Sequence, residues 1–586
     1  MKKDTNKILH GIASAPGFAI AQAHIYLKDR EEISDSNITD TDEAVKSLNE
    51  ALAKSKKELN KIFSLAIDKL GEKRAAIFEA QLMILDDPIL ISNIVKRIKE
   101  EKKLPEYIVD DEISKYQQLM NLAHETYMKE RSHDIEDIKN RIIRNLKKKK
   151  WKSRIESDVI VVARSISPSD TVLFSRVNVK AYVTDLGGLT SHASIVARSL
   201  SIPAVVGLHD STTLIEDGDL LIVDGFHGDI IINPDEETLN KYKDKIERLS
   251  KADKELRELK DEPAVTKDGK EVKLMANLDL SEEVELIFQN GAKGVGLVRT
   301  EQLFDNAESF PEEEEQYLYY KSLSEKIYPE TVIIRAFDIG GDKVLPVDLK
   351  EPNPFLGWRG IRLLLDNPNL FKTQVRAVLR ASVNKNIKFM IPMVTELAEI
   401  RKFKMILEDC KEELRKEGHS FDKGLKIGVM VEIPSAAVMA KEFAEQVDFL
   451  SIGTNDLIQY LLAVDRGNEI VSPLYQEFHP AVIRTLSHII KEGKKAKIMV
   501  SLCGEMSSDP VAVPLLVGLG LDCLSMSVSA VPMIKKIIRH ISFKECKALA
   551  EKCLSLSTEI EINNKLHIFF TNNVLTTSED FLGEIQ

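Results

Sequence analysis

The second half of the chain alternates short β-rich runs with longer helical stretches, and this alternation constrains the fold more than any other feature. Eight β-rich runs follow Pro263, at 271–278, 294–300, 331–339, 387–394, 425–432, 448–456, 498–504 and 523–527. Eight strands that alternate with helices over about 300 residues are typical of a (β/α)8 barrel. The sequence therefore predicts a TIM barrel over residues 263–586.

The residues before the barrel have a different texture. Residues 31–149 are dense in Glu, Lys, Leu and Ile at helical spacing, which predicts a helical subdomain. Strand-like segments flank it, so the helices are predicted to be inserted into one discontinuous α/β domain made of residues 1–30 and 150–233. A charged amphipathic helix over 234–262 is predicted to link this domain to the barrel while letting the domain swivel. The predicted fold class is multidomain α/β.

Composition excludes several classes of function. The chain has 93 acidic and 81 basic residues and a formal net charge of −12, so it offers no general attraction for nucleic acid or anionic lipid. Its five cysteines are widely spaced and form no C-x-x-C, which favours neither a disulfide framework nor a zinc site. No apolar run is long enough to cross a bilayer. We expect a cytoplasmic protein without membrane insertion.

Charged and reactive side chains follow the predicted barrel strands at their carboxyl ends, where enzymes with this fold place their active sites. The strand ends supply Arg299, Glu301, Arg335, Asp338, Met393, Glu432, Asn455, Asp456, Cys503, Glu505 and Ser527, and the following loops supply Lys343 and Arg466. Several cations and carboxylates at one mouth indicate a site for a phosphorylated anion held with a divalent metal. Oxygen ligands without a histidine cluster favour Mg²⁺ or Mn²⁺, with Glu432 and Asp456 as the predicted ligands. Cys503 is predicted to face the mouth and to donate or accept a proton.

A second reactive centre is predicted at His192. The strand Ala181–Thr184 runs into Gly187 and Gly188, and a helix is predicted to begin near His192. At a helix N-terminus the backbone N–H groups and the macrodipole favour a neutral imidazole, and they would stabilise a phosphoryl group carried on it.

Taken singly, each of these residues has a structural explanation. An Arg or Glu near a strand end is commonly part of a surface salt bridge, a lone Cys is commonly a small buried hydrophobe, and a His at a helix start is commonly a capped structural residue. The convergence of five strand ends and the glycine pair before His192 favour the functional interpretation.

Several longer motifs carry a family resemblance. They are GGLTSHASIVAR around His192, GVGLVRTE around Arg299, IIRAFDIGGDK around Arg335, NPFLGWRGIR at 353–362, GVMVEIPSA around Glu432, DFLSIGTNDLIQYLLAVDRGN at 448–468 and CGEM at 503. Together they resemble the enzyme I family of the bacterial phosphoenolpyruvate:sugar phosphotransferase system, over nearly the whole chain.

The resemblance implies a role for each candidate residue. His192 would accept the phosphoryl group of phosphoenolpyruvate, and Cys503 would protonate the enolate to give pyruvate. The substrate would be held by Arg299, Arg335 and Arg466, with Asn455 assisting and with Asp456 and Lys343 nearby. Glu432 and Asp456 would bind Mg²⁺, with Mn²⁺ as a substitute. Ser167 stands where the family has a threonine partner for the histidine, and it keeps the hydroxyl.

The resemblance also implies two protein partners. One is HPr, a small histidine-containing phosphocarrier protein that would take the phosphoryl group as the first step of sugar uptake. The helical subdomain would bind it, with Glu72, Glu79, Leu82, Asp86 and Asp87 as candidate contacts. The other partner is a second copy of the chain, since the family dimerises through its barrel.

Two alternative functions compete with this interpretation. A pyruvate phosphate dikinase or phosphoenolpyruvate synthase shares both reactive domains but needs a nucleotide-binding domain, and no glycine-rich phosphate loop is evident. A regulatory phosphohistidine protein would bind ligand without turnover, and the complete set of barrel-mouth residues argues against it.

Overall fold

The computed structural model divides into two compact units, residues 1–250 and 251–586. It describes residues 6–26, 33–70, 72–122, 126–148, 158–174, 177–188, 192–200, 202–278, 284–304, 310–340, 351, 353–466, 468 and 470–574.

The first unit is built on one mixed β-sheet. Its strands are β1 (Lys7–His10), β2 (Ile12–Ala15), β3 (Phe18–Tyr26), β4 (Val159–Ala163), β5 (Ala181–Thr184), β6 (Ala204–Val206), β7 (Leu220–Asp224) and β8 (Asp229–Ile232). The strand order is β1-β8-β7-β3-β4-β5-β6-β2, with parallel pairing from β3 to β6 and antiparallel pairing elsewhere. Because only Gly11 separates β1 from β2, the two edges of the sheet must approach each other.

Five long helices are described between β3 and β4, which confirms the predicted helical insertion. They are α1 (Thr41–Leu70), α2 (Glu72–Leu85), α3 (Pro88–Glu101), α4 (Pro105–Leu122) and α5 (Thr126–Leu146). Their apolar residues recur every three or four positions, as Leu90, Ile94 and Ile98 do along α3, and they form a shared buried core. Three shorter helices accompany the sheet: α6 (Pro168–Phe174), α7 (His192–Ser199) and α8 (Ser211–Leu214).

A long charged helix, α9 (Glu236–Glu258), follows the last strand of the first unit and confirms the predicted linker helix. The predicted domain bounds on either side of it remain predictions.

The second unit is the predicted closed parallel barrel. Its strands are β9 (Lys273–Leu278), β10 (Val295–Val298), β11 (Val332–Arg335), β12 (Ile387–Ile391), β13 (Lys426–Val431), β14 (Phe449–Ile452), β15 (Met499–Leu502) and β16 (Cys523–Met526). The last strand pairs with the first, with Cys523 opposite Lys273. Every observed strand lies inside one of the predicted runs.

Helices surround the barrel and extend the chain after it. They are α10 (Val284–Gln289), α11 (Glu313–Ile327), α12 (Ile361–Asp366), α13 (Pro368–Ala381), α14 (Leu397–Lys416), α15 (Pro434–Val438), α16 (Ala440–Ala444), α17 (Thr454–Leu462), α18 (Pro480–Lys495), α19 (Val513–Leu519), α20 (Val531–His540), α21 (Phe543–Ser555) and α22 (Glu559–Asn573).

One predicted β-rich run extends into a helix. The run 448–456 was expected to be extended to its end, but β14 stops at Ile452 and Thr454 begins α17. Asn455 and Asp456 therefore lie in the first turn of a helix. None of the helices in the described part of the chain is long and apolar enough to cross a membrane.

Candidate active site

Strand periodicity places four predicted residues at the barrel mouth. They are Arg299, Arg335, Glu432 and Cys503. Alternate residues of a strand point to opposite faces, and the inward set includes Leu297, Ile333, Met430 and Met499, which pack with Cys503 inside the barrel. Continuing the same alternation by two residues on the first three of these strands reaches Arg299, Arg335 and Glu432. The sequence positions of these side chains thus direct them to one end of the barrel interior.

Arg335 is only 6% exposed, and its guanidinium group is held in one orientation by two acidic residues. Its Nη2 donates to Glu301 Oε1 at 2.9 Å, and its Nη1 lies 3.2 Å from Asp338 Oδ2. Glu301 Oε1 also accepts the main-chain N–H of Asp338 at 2.8 Å, which ties the two partners together. The buried Nε of Arg335 has no hydrogen-bond partner within the described chain, so this donor is available to an anion.

Arg359 belongs to the same cluster, and the strand-end analysis did not select it. Its Nε and Nη2 donate to the two carboxylate oxygens of Asp338 at 3.1 and 2.7 Å, and Nη2 also donates to Asp456 Oδ2 at 3.2 Å. It lies in the NPFLGWRGIR motif, on a loop rather than at a strand end. A β-bridge between Gly340 and Arg359 holds that loop against the mouth.

The residue after Arg359 must be a glycine. Gly360 has a φ of +58°, and a Cβ there would approach Met393 Cβ to 2.8 Å and Asp338 Oδ1 to 3.3 Å. The absence of a side chain lets the Arg359 loop pack onto the carboxylate that Arg359 binds. This glycine was a signal in the sequence that could have pointed to Arg359.

Glu432 and Asp456 are the two carboxylates that the sequence analysis predicted to bind a metal. Glu432 is 2% exposed and its Oε1 accepts the N–H of Met393 at 2.6 Å. Burial, followed by the nearby carboxylates of Asp456 and Asp338, raises the pKa of Glu432 to about 8. Asp456 Oδ1 is buried without a hydrogen-bond donor among the described residues. Hard carboxylate oxygens in this condition fit a divalent cation such as Mg²⁺.

Asn455 and Arg466 lie beside these carboxylates. The amide of Asn455 donates to Glu505 Oε1 at 3.2 Å and accepts the main-chain N–H of Glu505 at 2.9 Å. Arg466 has an exposed side chain, and its Nη2 is 3.8 Å from Asp456 Oδ1. Asn455 therefore contacts Glu505, and the guanidinium group of Arg466 lies near Asp456.

Cys503 is 4% exposed at the end of β15. Its sulfur accepts a hydrogen bond from Ser451 Oγ at 3.4 Å, and its thiol points to the carbonyl oxygen of Ile452 at 3.6 Å. Burial raises the pKa of the thiol, which keeps it protonated at neutral pH. The remaining cysteines, Cys410, Cys523, Cys546 and Cys553, are buried.

The structure describes the remaining predicted substrate residues in part. Arg299 follows β10, and its main-chain N–H donates to the carbonyl of Leu278 at 3.2 Å. Lys343 lies outside the described residues.

His192 is the first residue of α7, which confirms the predicted helix start. Its side chain is outside the described part of the chain, as are Thr190 and Ser191, which precede it in the sequence. Ser194 lies within the helix, and its Oγ donates to the carbonyl of Gly188 at 2.8 Å. Ser167 Oγ donates to Asp170 Oδ2 at 2.8 Å.

The five candidate HPr contacts have different surroundings. Glu79 is exposed, and Leu82 is half-buried against the helical core. Asp86 forms an ion pair with Lys56 at 2.6 Å. Asp87 is the N-cap of α3 and accepts the N–H groups of Ile89 and Leu90 at 2.8 and 3.3 Å. The side chain of Glu72 lies outside the described residues.

Comparisons with known proteins connect these sites to one family. Residues 253–543 match the family described as PEP-utilising enzyme, PEP-binding domain. Residues 10–131 match the N-terminal domain of PEP-utilising enzymes, and residues 155–228 match their mobile domain. The phosphoenolpyruvate-protein phosphotransferase of Bacillus sp. (strain S) is 43% identical over 95% of this chain and 97% of its own length. The chain belongs to the phosphoenolpyruvate-protein phosphotransferase family.

Other members of the phosphoenolpyruvate-protein phosphotransferase family match equally completely. The relative from Geobacillus stearothermophilus is 43% identical, and it covers 95% of this chain and 97% of its own. The relative from Bacillus subtilis (strain 168) is 42% identical over 94% of this chain and 98% of its own. These matches confirm the family that the motifs indicated, rather than a dikinase.

Proposed function

We propose that His192 is the residue on which this phosphoenolpyruvate-protein phosphotransferase accepts the phosphoryl group of phosphoenolpyruvate. Pyruvate is released, and the phosphoryl group then passes to HPr as the first step of sugar uptake and phosphorylation. The observation that carries the proposal is the cluster at the barrel mouth, where buried guanidinium groups, two buried carboxylates and a buried thiol converge. An anionic substrate, a divalent cation and a proton donor are what this reaction requires.

The arginine residues bind the substrate. Arg335 offers its unpartnered Nε from a position fixed by Glu301 and Asp338. Arg466 is exposed and can fold over a bound anion, and Arg299, Asn455 and Lys343 complete the phosphate-binding set. Neutralising the charge on the transferring group is the main contribution that a protein makes to phosphoryl transfer.

Glu432 and Asp456 hold Mg²⁺, or Mn²⁺ in its place. When bound, the cation neutralises charge on the substrate oxygens. Arg359 holds the Asp456 carboxylate in place, because its guanidinium group donates to both Asp338 and Asp456. Asp456 is thereby kept in a set orientation, and Glu432 is held separately by the N–H of Met393.

Cys503 completes the first half of the reaction. Loss of the phosphoryl group leaves the enolate of pyruvate, whose C3 needs a proton. The S–H bond of Cys503 breaks, a C–H bond forms at C3, and the sulfur is left as a thiolate. The raised pKa of Cys503 keeps the proton on the sulfur until the enolate is present.

The phosphoryl group leaves the barrel on His192. The N-terminus of α7 stabilises the charge of a phosphohistidine through the N–H groups of its first turn. The helical subdomain binds HPr through the face that carries Glu79 and Leu82, while Asp86 and Asp87 also serve the helical fold itself. We also propose a cytoplasmic homodimer with domain bounds at 1–30 with 150–233, 31–149, 234–262 and 263–586.

The intact mass of the protein after incubation with phosphoenolpyruvate and Mg²⁺, without ATP, tests this proposal. We expect the wild type to gain one acid-labile phosphoryl group and to release an equal amount of pyruvate. His192→Ala should lose both signals, whereas the control His10→Ala, which removes an exposed histidine of the same unit, should keep them.

The two alternatives predict other outcomes. Labelling that needs ATP would point to a dikinase-type reaction. Ligand binding without pyruvate release would point to a regulatory protein. Labelling that survives in His192→Ala would show that another residue accepts the phosphoryl group.

A further inference from the structure

A buried hydroxyl lies directly against the Cys503 sulfur, and the reaction described above gives it no role. Ser451 is on β14, is fully buried, and its Oγ donates to Cys503 Sγ at 3.4 Å. It occupies the inward side of its strand, two residues after the inward-facing Phe449. A polar side chain inside a barrel needs a partner, and in the described part of the chain this hydroxyl donates to the sulfur.

The position of Cys503 does not depend on Ser451. The main-chain N–H of Cys503 donates to the carbonyl of Ile452 at 3.0 Å, and its carbonyl accepts from Asn277 Nδ2 at 2.9 Å. Asn277 is held in turn by Ser525, whose Oγ donates to Asn277 Oδ1 at 2.7 Å. Because these contacts fix the backbone, the hydroxyl of Ser451 acts on the charge of the sulfur rather than on its place.

We propose that Ser451 assists the proton transfer through Cys503, because its hydroxyl stabilises the thiolate that Cys503 becomes when it protonates the enolate. The inference rests on the proposed role of Cys503 as proton donor. In this step the S–H bond breaks, the proton and the C3 electron pair form the C–H bond, and the sulfur retains its electron pair. The serine donor is already aimed at the atom on which the negative charge develops.

The groups around Cys503 act in opposite directions on the stability of its thiolate. Burial and the carboxylate of Glu432 disfavour a thiolate, while Arg335 and Arg299 favour it. Both guanidinium groups are also assigned to the substrate anion, which will offset their effect on the sulfur. Ser451 is an uncharged, fully buried donor that is not among the residues proposed to bind phosphoenolpyruvate, so its stabilisation should persist when the substrate is bound.

The barrel provides a matched control. Ser501 stands opposite Ser451 in the β14–β15 pairing and is equally buried, but its Oγ lies 3.4 Å from the carbonyl of Leu450. Ser451→Ala and Ser501→Ala therefore remove the same hydroxyl from the same layer, and the loss affects Cys503 in the first variant alone. Ser451→Thr keeps the hydroxyl and serves as the rescue variant.

The experiment is a rapid-quench measurement of the pyruvate burst in the full-length enzyme with Mg²⁺, over a range of phosphoenolpyruvate concentrations and pH values. For Ser451→Ala we expect the limiting burst rate to fall about tenfold or more, while the half-saturating phosphoenolpyruvate concentration stays unchanged. In the plot of burst rate against pH, the alkaline limb of Ser451→Ala should move to higher pH. Without the serine donor the thiolate forms less readily, so the pKa of Cys503 rises. Ser501→Ala should match the wild type, and Ser451→Thr should recover most of the rate.

Cys503→Ala, measured alongside, separates the two ideas. If Cys503→Ala is inactive in the burst while Ser451→Ala behaves as the wild type, the role of Ser451 is wrong and that of Cys503 stands. An equal loss in Ser501→Ala, or an unmoved alkaline limb in Ser451→Ala, also overturns the inference. If Cys503→Ala forms pyruvate at the wild-type rate, Cys503 is not the proton donor and the role of Ser451 is lost with it.

Discussion

Replacing Arg359 with methionine removes a buried cation that three carboxylate contacts depend on. Arg359 is 2% exposed and Asp338 is fully buried, and the lost contacts are those of 3.1 and 2.7 Å to Asp338 and of 3.2 Å to Asp456. Removing one partner of a buried ion pair costs about 3–5 kcal/mol, because a charge is left uncompensated. Asp338 keeps Arg335 at 3.2 Å, so we expect the lower part of that range.

The chain suits a fluorescence measurement of this cost. It has two tryptophans, and one of them is Trp358, the neighbour of Arg359. In a Trp151→Phe background, urea unfolding followed by tryptophan emission reports on the barrel alone. The control is Arg362→Met, which removes an arginine whose Nη1 donates to the carbonyls of Leu356 and Gly357 rather than to a carboxylate. We expect the control to cost about 1 kcal/mol or less.

A double-mutant cycle identifies the cause. Asp338→Asn removes the buried charge that Arg359→Met leaves with Arg335 as its remaining partner, so the combined variant should cost about 2 kcal/mol less than the sum of the two single changes. Costs that add within about 0.5 kcal/mol, or an Arg359→Met variant no less stable than Arg362→Met, would refute the reasoning.

Three further predictions use the same unfolding measurement and activity assays. Asp87→Ala removes the N-cap of α3 and should lower the free energy of unfolding by about 1 kcal/mol. Asp86→Ala breaks an exposed ion pair and should lower it by less. Equal losses in the two variants would contradict the capping role of Asp87. With divalent cations chelated, the free energy of unfolding should fall as pH rises from about 4.5 to 8. The reason is that the pKa of Glu432 is raised to about 8 in the folded protein, so the unfolded chain binds fewer protons in this range. Glu432→Gln should flatten this decline, and parallel profiles for the two proteins would show that Glu432 is not its source. Gly504→Ala places a Cβ 1.9 Å from Thr454 Oγ1, so it should lower the free energy of unfolding by about 1–3 kcal/mol. It should also raise the KM for phosphoenolpyruvate by displacing Asn455. An unchanged KM would argue against this displacement.

The barrel mouth could be predicted largely because strands have a period of two. Once the strands are located, the inward phase set by Leu297 and Ile333 leads to Arg299 and Arg335. Asp456 was placed less well, because α17 begins after Gly453 without a side-chain cap and the usual boundary signal is missing. Its carboxylate nevertheless contacts Arg359.

Arg359 could not be found by the same route. It reaches the site through a loop whose position is set by the Gly340 bridge and by the left-handed backbone of Gly360. No periodic pattern describes such a loop. The sheet order of the first unit was inaccessible for a similar reason, since β1 and β2 are neighbours in sequence yet lie at opposite ends of the strand order.

The pairing of β16 with β9 has a consequence for the synthesis of the protein. These strands are roughly 250 residues apart, and ribosomes add about 5–20 residues per second, so the first barrel strand must wait tens of seconds for its last neighbour. During that interval β9 presents an unpaired edge, which is a surface prone to aggregation. The nascent chain therefore needs protection during translation, and we expect its yield to depend more on chaperone supply than the yield of proteins of similar stability built from local contacts.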